Sequence, residues 1–169
     1  ICIKDMSGLL KPYVAEDLVL KLKAAVNVPI ELHTHCTSGF GSMTYLKAIE
    51  AGVDIIDTAL APFSNDTSQP CTETMIETLV GTPYDTGLDR HKLTPVSKYF
   101  LQVKQDLIKE FNLKGYFDVN PNVLDFQIPG GMLSNLTNQL KEQGMEDKYQ
   151  DLLDEMPRVR ADDRARRRD

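Results

Sequence analysis

The chain has 169 residues, of which 41% are hydrophobic and 26% are charged, and its formal net charge is -6. That length suits one core or part of one, and the acidic balance argues against nucleic acid as the main partner. The three cysteines show no CxxC spacing, which favours a reducing cytoplasm over a disulfide framework. No apolar run reaches the length of a membrane helix, so direct membrane insertion is not expected.

The first part of the chain alternates predicted strands and helices. Strands are predicted over 1–6, 29–35 and 53–60, because these segments are short, apolar or alternating, and end at turn residues. Between them, a helix begins at Pro12, and a second helix is predicted over 42–51. The first helix is indicated by an apolar residue at every fourth position: Val14, Leu18, Leu22 and Val26. The third strand is apolar enough to be buried on both faces.

This order indicates right-handed βαβ units in a parallel sheet. Three parallel strands with two helices leave open edges, so part of a β/α barrel fits better than a complete doubly wound domain. The chain also starts inside a strand, without a methionine, which favours a fragment. We therefore predict an α/β fold: the C-terminal three strands of a TIM (β/α)8 barrel, followed by a mostly helical extension.

From residue 62 the predicted elements are helical. Helices are predicted over 73–80, 94–111, 134–142 and 146–156, with an irregular segment over 115–131. The last segment, 158–169, holds six arginines and three aspartates and is predicted to be a disordered tail. The predicted organisation is thus barrel units over 1–61, a helical, funnel-like extension over 62–157, and a basic tail over 158–169.

His33 and His35 are the first candidates for chemistry. They occupy alternate positions of one strand, so both imidazoles point to the same face. They also lie at the carboxyl end of the strand, where β/α barrels place their sites. Two nitrogen ligands for a divalent metal are one interpretation; two histidines with structural hydrogen bonds are the other.

Lys4 and Asp5 end the first predicted strand. Lys4 is either an ordinary charge at the rim or, beside a metal, a base or a carbamate that supplies an anionic oxygen ligand. Asp57 could support the site from the third strand. Cys36 and Cys71 fit small buried residues better than nucleophiles, because no activating histidine or acid is placed for them.

The segment 128–132, Ile-Pro-Gly-Gly-Met, combines a proline with two glycines. It predicts either a tight turn or a loop packed beneath an active-site mouth.

Four segments occur in the order found in one family. They are residues 4–12 (KDMSGLLKP), 33–39 (HTHCTSG), 67–70 (TSQP) and 127–136 (QIPGGMLSNL). Together they resemble the carboxyltransferase domain of biotin-dependent enzymes: pyruvate carboxylase and its separate B subunit, the oxaloacetate decarboxylase alpha subunit and the transcarboxylase 5S subunit. The resemblance covers residues 1–160, and many relatives carry Asp where Cys36 stands.

The resemblance implies a site in which Lys4 is carbamylated and catalytic, and in which Lys4, His33 and His35 bind zinc, manganese or cobalt. The family's remaining ligand, an aspartate of the first barrel strand, has no counterpart here. It further implies metal-assisted carboxyl transfer between pyruvate or oxaloacetate and biotin carried on another domain or subunit. A homo-oligomeric, cytoplasmic parent enzyme would follow, working toward either carboxylation or decarboxylation.

Two alternatives remain. One is a metal-dependent barrel lyase or aldolase resembling HMG-CoA lyase, against which the TSQP and QIPGG segments speak. The other is an inactive fragment of a carboxyltransferase, which the presence or absence of five further strands upstream would decide.

Overall fold

The computed structural model describes residues 1–113 and 130–166. Its first part contains two βα units and a short third strand: β1 (Cys2–Asp5), α1 (Pro12–Ala25), β2 (Glu31–Thr34), α2 (Gly41–Glu50) and β3 (Ile55–Ile56). The helices that follow are α3 (Thr72–Leu79), α4 (Thr94–Phe111), α5 (Gly130–Glu142) and α6 (Tyr149–Arg166). Single 3-10 turns lie at Ala61–Phe63, Arg90–Lys92 and Glu146–Lys148.

Within the described residues the three strands form one parallel sheet in the order β1-β2-β3. Lys4 lies opposite His33 in the register of β1 and β2, and Asp5 lies opposite Thr34. The predicted βαβ arrangement is therefore confirmed. Neighbours in a parallel register share a face of the sheet, so Lys4 and His33 point to the same side.

The main core lies on the opposite face of the sheet, beneath α1, α2 and α3. Leu32 and Tyr45 are fully buried there, and Ile3 packs against the cluster from β1. The other buried members of the cluster are Val19, Ala48, Ile49, Ala51, Met75 and Leu79. This apolar layer fixes which side chains of β1 and β2 face inward.

Two helices differ in burial from the predicted apolar stripes, and in α1 the buried face lies one residue away from the stripe. In α1, Ala15 and Val19 are fully buried, whereas Val14 is 53% exposed. In α4, whose predicted apolar face runs from Val96 to Phe111, none of the residues is buried, and Val96 is 41% exposed. The small side chain of Ala15 lets α1 approach the core closely. A pattern based on large apolar residues does not reveal such a position.

The third strand is much shorter than predicted. Ile55 and Ile56 pair with β2, and Ile55 is 49% exposed, so the expected burial on both faces is wrong. The chain then leaves β2, and Ala59 forms an isolated parallel bridge with Cys71. The predicted strand over 53–60 is therefore divided between two different partners.

The last helices also differ from the sequence prediction. Gly130 and Gly131 lie inside α5, where a turn or loop was expected, while the rest of the predicted irregular segment lies outside the described residues. Helix α6 continues past Pro157 to Arg166, into the segment predicted to be disordered. The proposed division at residues 61 and 157 stays a prediction. Throughout 1–113 and 130–166, every helix is too short or too polar to span a bilayer.

Candidate metal site at the carboxyl end of the sheet

His33 and His35 converge at the carboxyl end of β2. Their Nε2 atoms lie 3.1 Å apart, and the two rings meet edge to face with centroids 5.1 Å apart. The strand ends at Thr34, and the backbone N–H of His35 donates to the Asp5 carbonyl at 3.2 Å. The alternation of the strand thus brings both predicted imidazoles to one place.

The other ring nitrogen of each histidine faces an acceptor. Nδ1 of His33 lies 2.7 Å from Oδ2 of Asp57, and Nδ1 of His35 contacts the carbonyl oxygen of Thr67. A carbonyl oxygen and an ionised carboxylate only accept hydrogen bonds. Each neutral ring therefore carries its proton on Nδ1, and each Nε2 presents a lone pair to the other. Two converging nitrogen lone pairs supply two of the ligands that a divalent metal such as zinc requires.

Lys4 lies on the neighbouring strand, opposite His33, and its side chain is exposed. The structure therefore places all three predicted ligands on one face of the sheet. Among residues 1–113 and 130–166, no His, Cys, Asp or Glu completes a group of three around the imidazoles. An anionic oxygen from a modified Lys4 would supply the ligand type that the two histidines lack.

Asp5 has a structural role in the turn after β1. Its carboxylate accepts hydrogen bonds from the N–H groups of Leu9 and Leu10, at 3.0 and 2.9 Å, and from the hydroxyl of Thr34 at 2.7 Å. Gly8 in the same turn has φ +64°, and a Cβ there would lie 2.4 Å from the carbonyl oxygen of His35. The glycine therefore lets this turn pack directly against the end of β2.

Tyr45 supports the site from beneath the sheet. Its hydroxyl donates to the carbonyl of Asp57 at 2.6 Å and accepts from the N–H of Thr34 at 3.1 Å. Burial raises the pKa of the Tyr45 phenol well above its ordinary value. The neutral phenol thereby joins the backbone of β2 to the backbone that carries Asp57.

The segment from Ser64 to Pro70 covers the site, and we refer to it as the 64–70 loop. Asn65 and Asp66 adopt left-handed backbone conformations with φ of 63° and 51°. The carbonyl of Ser68 accepts a hydrogen bond from the N–H of Cys36 at 2.8 Å, which fixes the loop to the end of β2. The side-chain nitrogen of Gln69 lies 3.4 Å from Nε2 of His33 and 3.2 Å from Nε2 of His35.

The other cysteines, histidine and aspartate that could carry chemistry lie apart from the imidazole pair or are unreactive. Cys36 is buried, and burial raises the pKa of its thiol to about 11, so it is a poor nucleophile. Cys71 is also buried and its thiol contacts Glu73. The Asp54 carboxylate accepts hydrogen bonds from the N–H of Ile30 and from Lys23, which lower the pKa of its carboxyl. His91 lies in the 3-10 turn before α4.

Sequence reasoning missed Gln69 and the carbonyl of Thr67 as partners of the histidines. The TSQP segment stands out by resemblance, yet nothing in the spacing relates it to β2, which lies more than 30 residues earlier. The segment returns to β2 after the left-handed turn at Asn65 and Asp66. Asparagine and aspartate are enriched in that conformation, which is the one local signal of the turn.

Residues 1–99 match the model of the HMGL-like family, which covers more than half of the chain. The chain belongs to the HMGL-like family. Residues 123–165 of this HMGL-like chain match a second model, the conserved carboxylase domain. The combination of the two matches confirms the predicted resemblance to the carboxyltransferase domain of biotin-dependent enzymes.

Relatives of known function align with nearly the whole HMGL-like chain. It is 52% identical to the B subunit of pyruvate carboxylase from Methanocaldococcus jannaschii, over 96% of this chain and 28% of the relative. It is 41% identical to the methylmalonyl-CoA carboxyltransferase 5S subunit of Propionibacterium freudenreichii, over 95% of this chain and 32% of the relative. The chain thus spans about a third or less of the length of these relatives.

A solved structure shows the same fold. The carboxyl transferase domain of Rhizobium etli pyruvate carboxylase with pyruvate superposes with a TM-score of 0.84 and 38% identity, over 93% of this chain and 26% of that one. The predicted fold, part of a TIM barrel followed by helices, is confirmed by this match together with the three parallel strands.

Proposed function

We propose that the chain supplies part of the metal site of a carboxyltransferase that moves a carboxyl group between biotin and pyruvate or oxaloacetate. The observation that carries the proposal is the convergence of Nε2 of His33 and Nε2 of His35 at the carboxyl end of a parallel sheet. The similarity to the pyruvate carboxylase B subunit supports the keto acid as substrate. The similarity to the Rhizobium etli carboxyl transferase domain with pyruvate and biocytin supports biotin as carboxyl carrier.

In the proposed site, His33, His35 and carbamylated Lys4 hold a divalent ion, which is zinc, manganese or cobalt. Carbamylation joins the unprotonated Nζ of Lys4 to the carbon of carbon dioxide, and the proton released from the nitrogen leaves one negative charge on the carbamate oxygens. Lys4 is exposed on the strand beside His33, so carbon dioxide can reach the amine. When bound, the ion would polarise the carbonyl of the keto acid and stabilise the enolate formed as the carboxyl group leaves or arrives.

The residues of this chain have separate tasks in that proposal. Asp57 and the Thr67 carbonyl keep the Nδ1 protons in place, so that both Nε2 lone pairs are available. The 64–70 loop holds the imidazoles from one side through the Thr67 carbonyl and the Gln69 side chain. Biotin, which this scheme places on a separate carrier domain or subunit, would bring the carboxyl group to the open face of the sheet. We further propose a cytoplasmic, homo-oligomeric parent enzyme.

Metal content per chain tests the site. The wild-type chain is expected to hold close to one divalent ion, and the variant His33→Ala/His35→Ala to hold almost none. His91→Ala is the matched control, because His91 is an exposed histidine away from β2. Lys4→Arg keeps the positive charge but cannot form a stable carbamate, and metal content should fall in it as well. Equal metal in the wild type and the double variant would rule the site out.

A second candidate is an acyl-CoA lyase, which the HMGL-like match over residues 1–99 favours. The conserved carboxylase domain match over 123–165 favours the carboxyltransferase instead. Biotin-stimulated decarboxylation of oxaloacetate would support the first proposal, and cleavage of a 3-hydroxy-3-methylacyl-CoA would support the second. If the chain binds metal but converts neither oxaloacetate nor the acyl-CoA, the third candidate is supported: a fragment that is inactive by itself.

A further inference from the structure

Gln69 lies where it contacts both candidate ligand atoms at once. Its side-chain nitrogen is 3.4 Å from Nε2 of His33 and 3.2 Å from Nε2 of His35, and those two atoms are 3.1 Å apart. The three nitrogens therefore form a nearly equilateral triangle. An amide nitrogen carries two protons, so a single Gln69 can direct one bent N–H···N hydrogen bond toward each imidazole.

The two imidazoles need such a donor. Their Nδ1 atoms donate to Asp57 and to the Thr67 carbonyl, which leaves two lone pairs facing each other across 3.1 Å. Lone pairs at that distance repel unless a proton donor or a cation lies between or beside them. In the chain without metal, the Gln69 amide provides the donor.

The orientation of the Gln69 amide has an independent cause. The hydroxyl of Ser68 donates to Oε1 of Gln69 at 3.2 Å, which turns the nitrogen toward the histidines. The backbone carbonyl of Gln69 accepts from the N–H of Asn65 at 2.8 Å, and the N–H of Ser68 donates to the carbonyl of Asn65 at 2.8 Å. The amide is therefore held by the closed hydrogen bonding of the 64–70 loop.

We propose that Gln69 is a positioning residue that caps both imidazole nitrogens in the metal-free chain and competes with the metal ion for them. This inference rests on the proposed metal site at His33 and His35. Because the two amide hydrogen bonds exist only while the lone pairs are free, they stabilise the metal-free state alone. Linkage then requires that they weaken metal binding, and that the amide turns away when the ion enters.

The test is a titration of the metal-free chain with Co²⁺ alone, followed by its visible absorption. Gln69→Leu keeps the approximate size of the side chain and removes both donors, and it is expected to bind Co²⁺ roughly threefold to tenfold more tightly. Ser68→Ala, which frees the amide without removing it, should shift the affinity in the same direction by less. Gln102→Leu is the matched control, since Gln102 is an exposed glutamine on α4.

A readout without metal accompanies the titration. In the ¹⁵N-labelled wild-type chain, nitrogen–nitrogen coupling through the hydrogen bonds is expected between the Gln69 side chain and both imidazoles, and Zn²⁺ should abolish it. Circular dichroism shows whether each variant is folded. If Gln69→Leu does not fold, the Co²⁺ affinity of Ser68→Ala is used for the test instead.

The outcomes separate the two proposals. Unchanged or weaker Co²⁺ binding by a folded Gln69→Leu, with normal binding by the wild type, overturns the role of Gln69 and leaves the metal site standing. Absence of binding by the wild type and by Gln69→Leu overturns the metal site, and with it the competition.

Discussion

Tyr45 donates a hydrogen bond to the backbone carbonyl of Asp57 at 2.6 Å, from a position fully buried beneath the sheet. The same hydroxyl accepts from the N–H of Thr34. A single phenol thereby joins the strand that carries the two histidines to the segment that carries the partner of His33. The geometry of the exposed site consequently depends on a side chain that no ligand touches.

Replacing Tyr45 with Phe should destabilise the fold. Both backbone partners of the hydroxyl would lose a buried hydrogen bond, which costs about 1–3 kcal/mol. Urea unfolding followed by circular dichroism measures the loss. Tyr99→Phe is the control, because Tyr99 is 65% exposed and its hydroxyl can bond to water. Equal stability of the two variants would mean that the hydroxyl contributes nothing to folding.

Asp57→Asn should weaken metal binding without preventing folding. The amide still fits beside Nδ1 of His33, but it lacks the charge that makes the imidazole a stronger ligand. We expect the affinity for Zn²⁺ to fall roughly 10-fold to 100-fold, measured by competition with a chromophoric chelator. Asp17→Asn, at an exposed position on α1, should leave the affinity as it is. A similar loss in both variants would point to general electrostatics instead.

Gly8→Ala should be more costly than the same change at Gly87. Both glycines have a positive φ, +64° and +68°, so both substitutions force a left-handed conformation on alanine. Only at Gly8 does the new Cβ meet another atom, the carbonyl oxygen of His35 at 2.4 Å, whereas at Gly87 nothing lies within 4 Å. We expect Gly87→Ala to lose about 1 kcal/mol of unfolding free energy and Gly8→Ala to lose at least twice as much.

Thermal and urea unfolding of both variants measure this difference, which reports the energy of the contact between the turn after β1 and the end of β2. A weaker metal affinity in Gly8→Ala alone would show that the contact also positions His35. If the two alanine variants unfold at the same urea concentration, the turn after β1 can shift to accommodate the new Cβ without loss of stability.

Cys36 makes stability depend on alkaline pH. Burial raises the pKa of its thiol to about 11 from a value of 9.0, so the unfolded chain loses this proton at lower pH than the folded chain does. The folded state then binds more protons, and its stability must fall as the pH rises from about 9 toward 11. Urea unfolding between pH 8 and pH 10 should show the decline, and Cys36→Ala should show a shallower one.

Thiol reactivity gives a second measure of the same property. At pH 8 a thiol reagent should label exposed Cys2 at once and Cys36 only after unfolding. Rapid labelling of Cys36 in the folded chain would contradict its burial.

The sequence indicated the parallel βαβ arrangement and the convergence of His33 with His35, because both follow from local periodicity. Alternation within four residues suffices to place two imidazoles on one face. The bounds of α4 were also predictable, since its apolar repeat continues from Val96 to Phe111 without interruption. The resemblance in four separate segments supplied the family, which periodicity alone does not.

Other features depend on contacts between distant segments. The predicted strand over 53–60 is divided because Ile55 and Ile56 pair with β2, whereas Ala59 pairs with Cys71, which follows the 64–70 loop. The apolar character of residues 53–60 does not reveal this division. The contacts of Gln69 have the same origin. In α1 the buried face includes Ala15, whose small side chain carries little weight in an apolar pattern although close packing requires it.

The register of β1 against β2 has a consequence for how this chain tolerates insertions and deletions. A slip by one residue would replace Lys4 with Ile3 or Asp5 opposite His33, and it would also move Ile3 out of the core beside Leu32. A register shift that misplaces Lys4 on the face that carries the histidines therefore also reduces apolar burial on the core face. A chain in which Lys4 is shifted relative to His33 would therefore also fold less stably. We expect insertions and deletions to be tolerated only in the turns that connect the strands and helices.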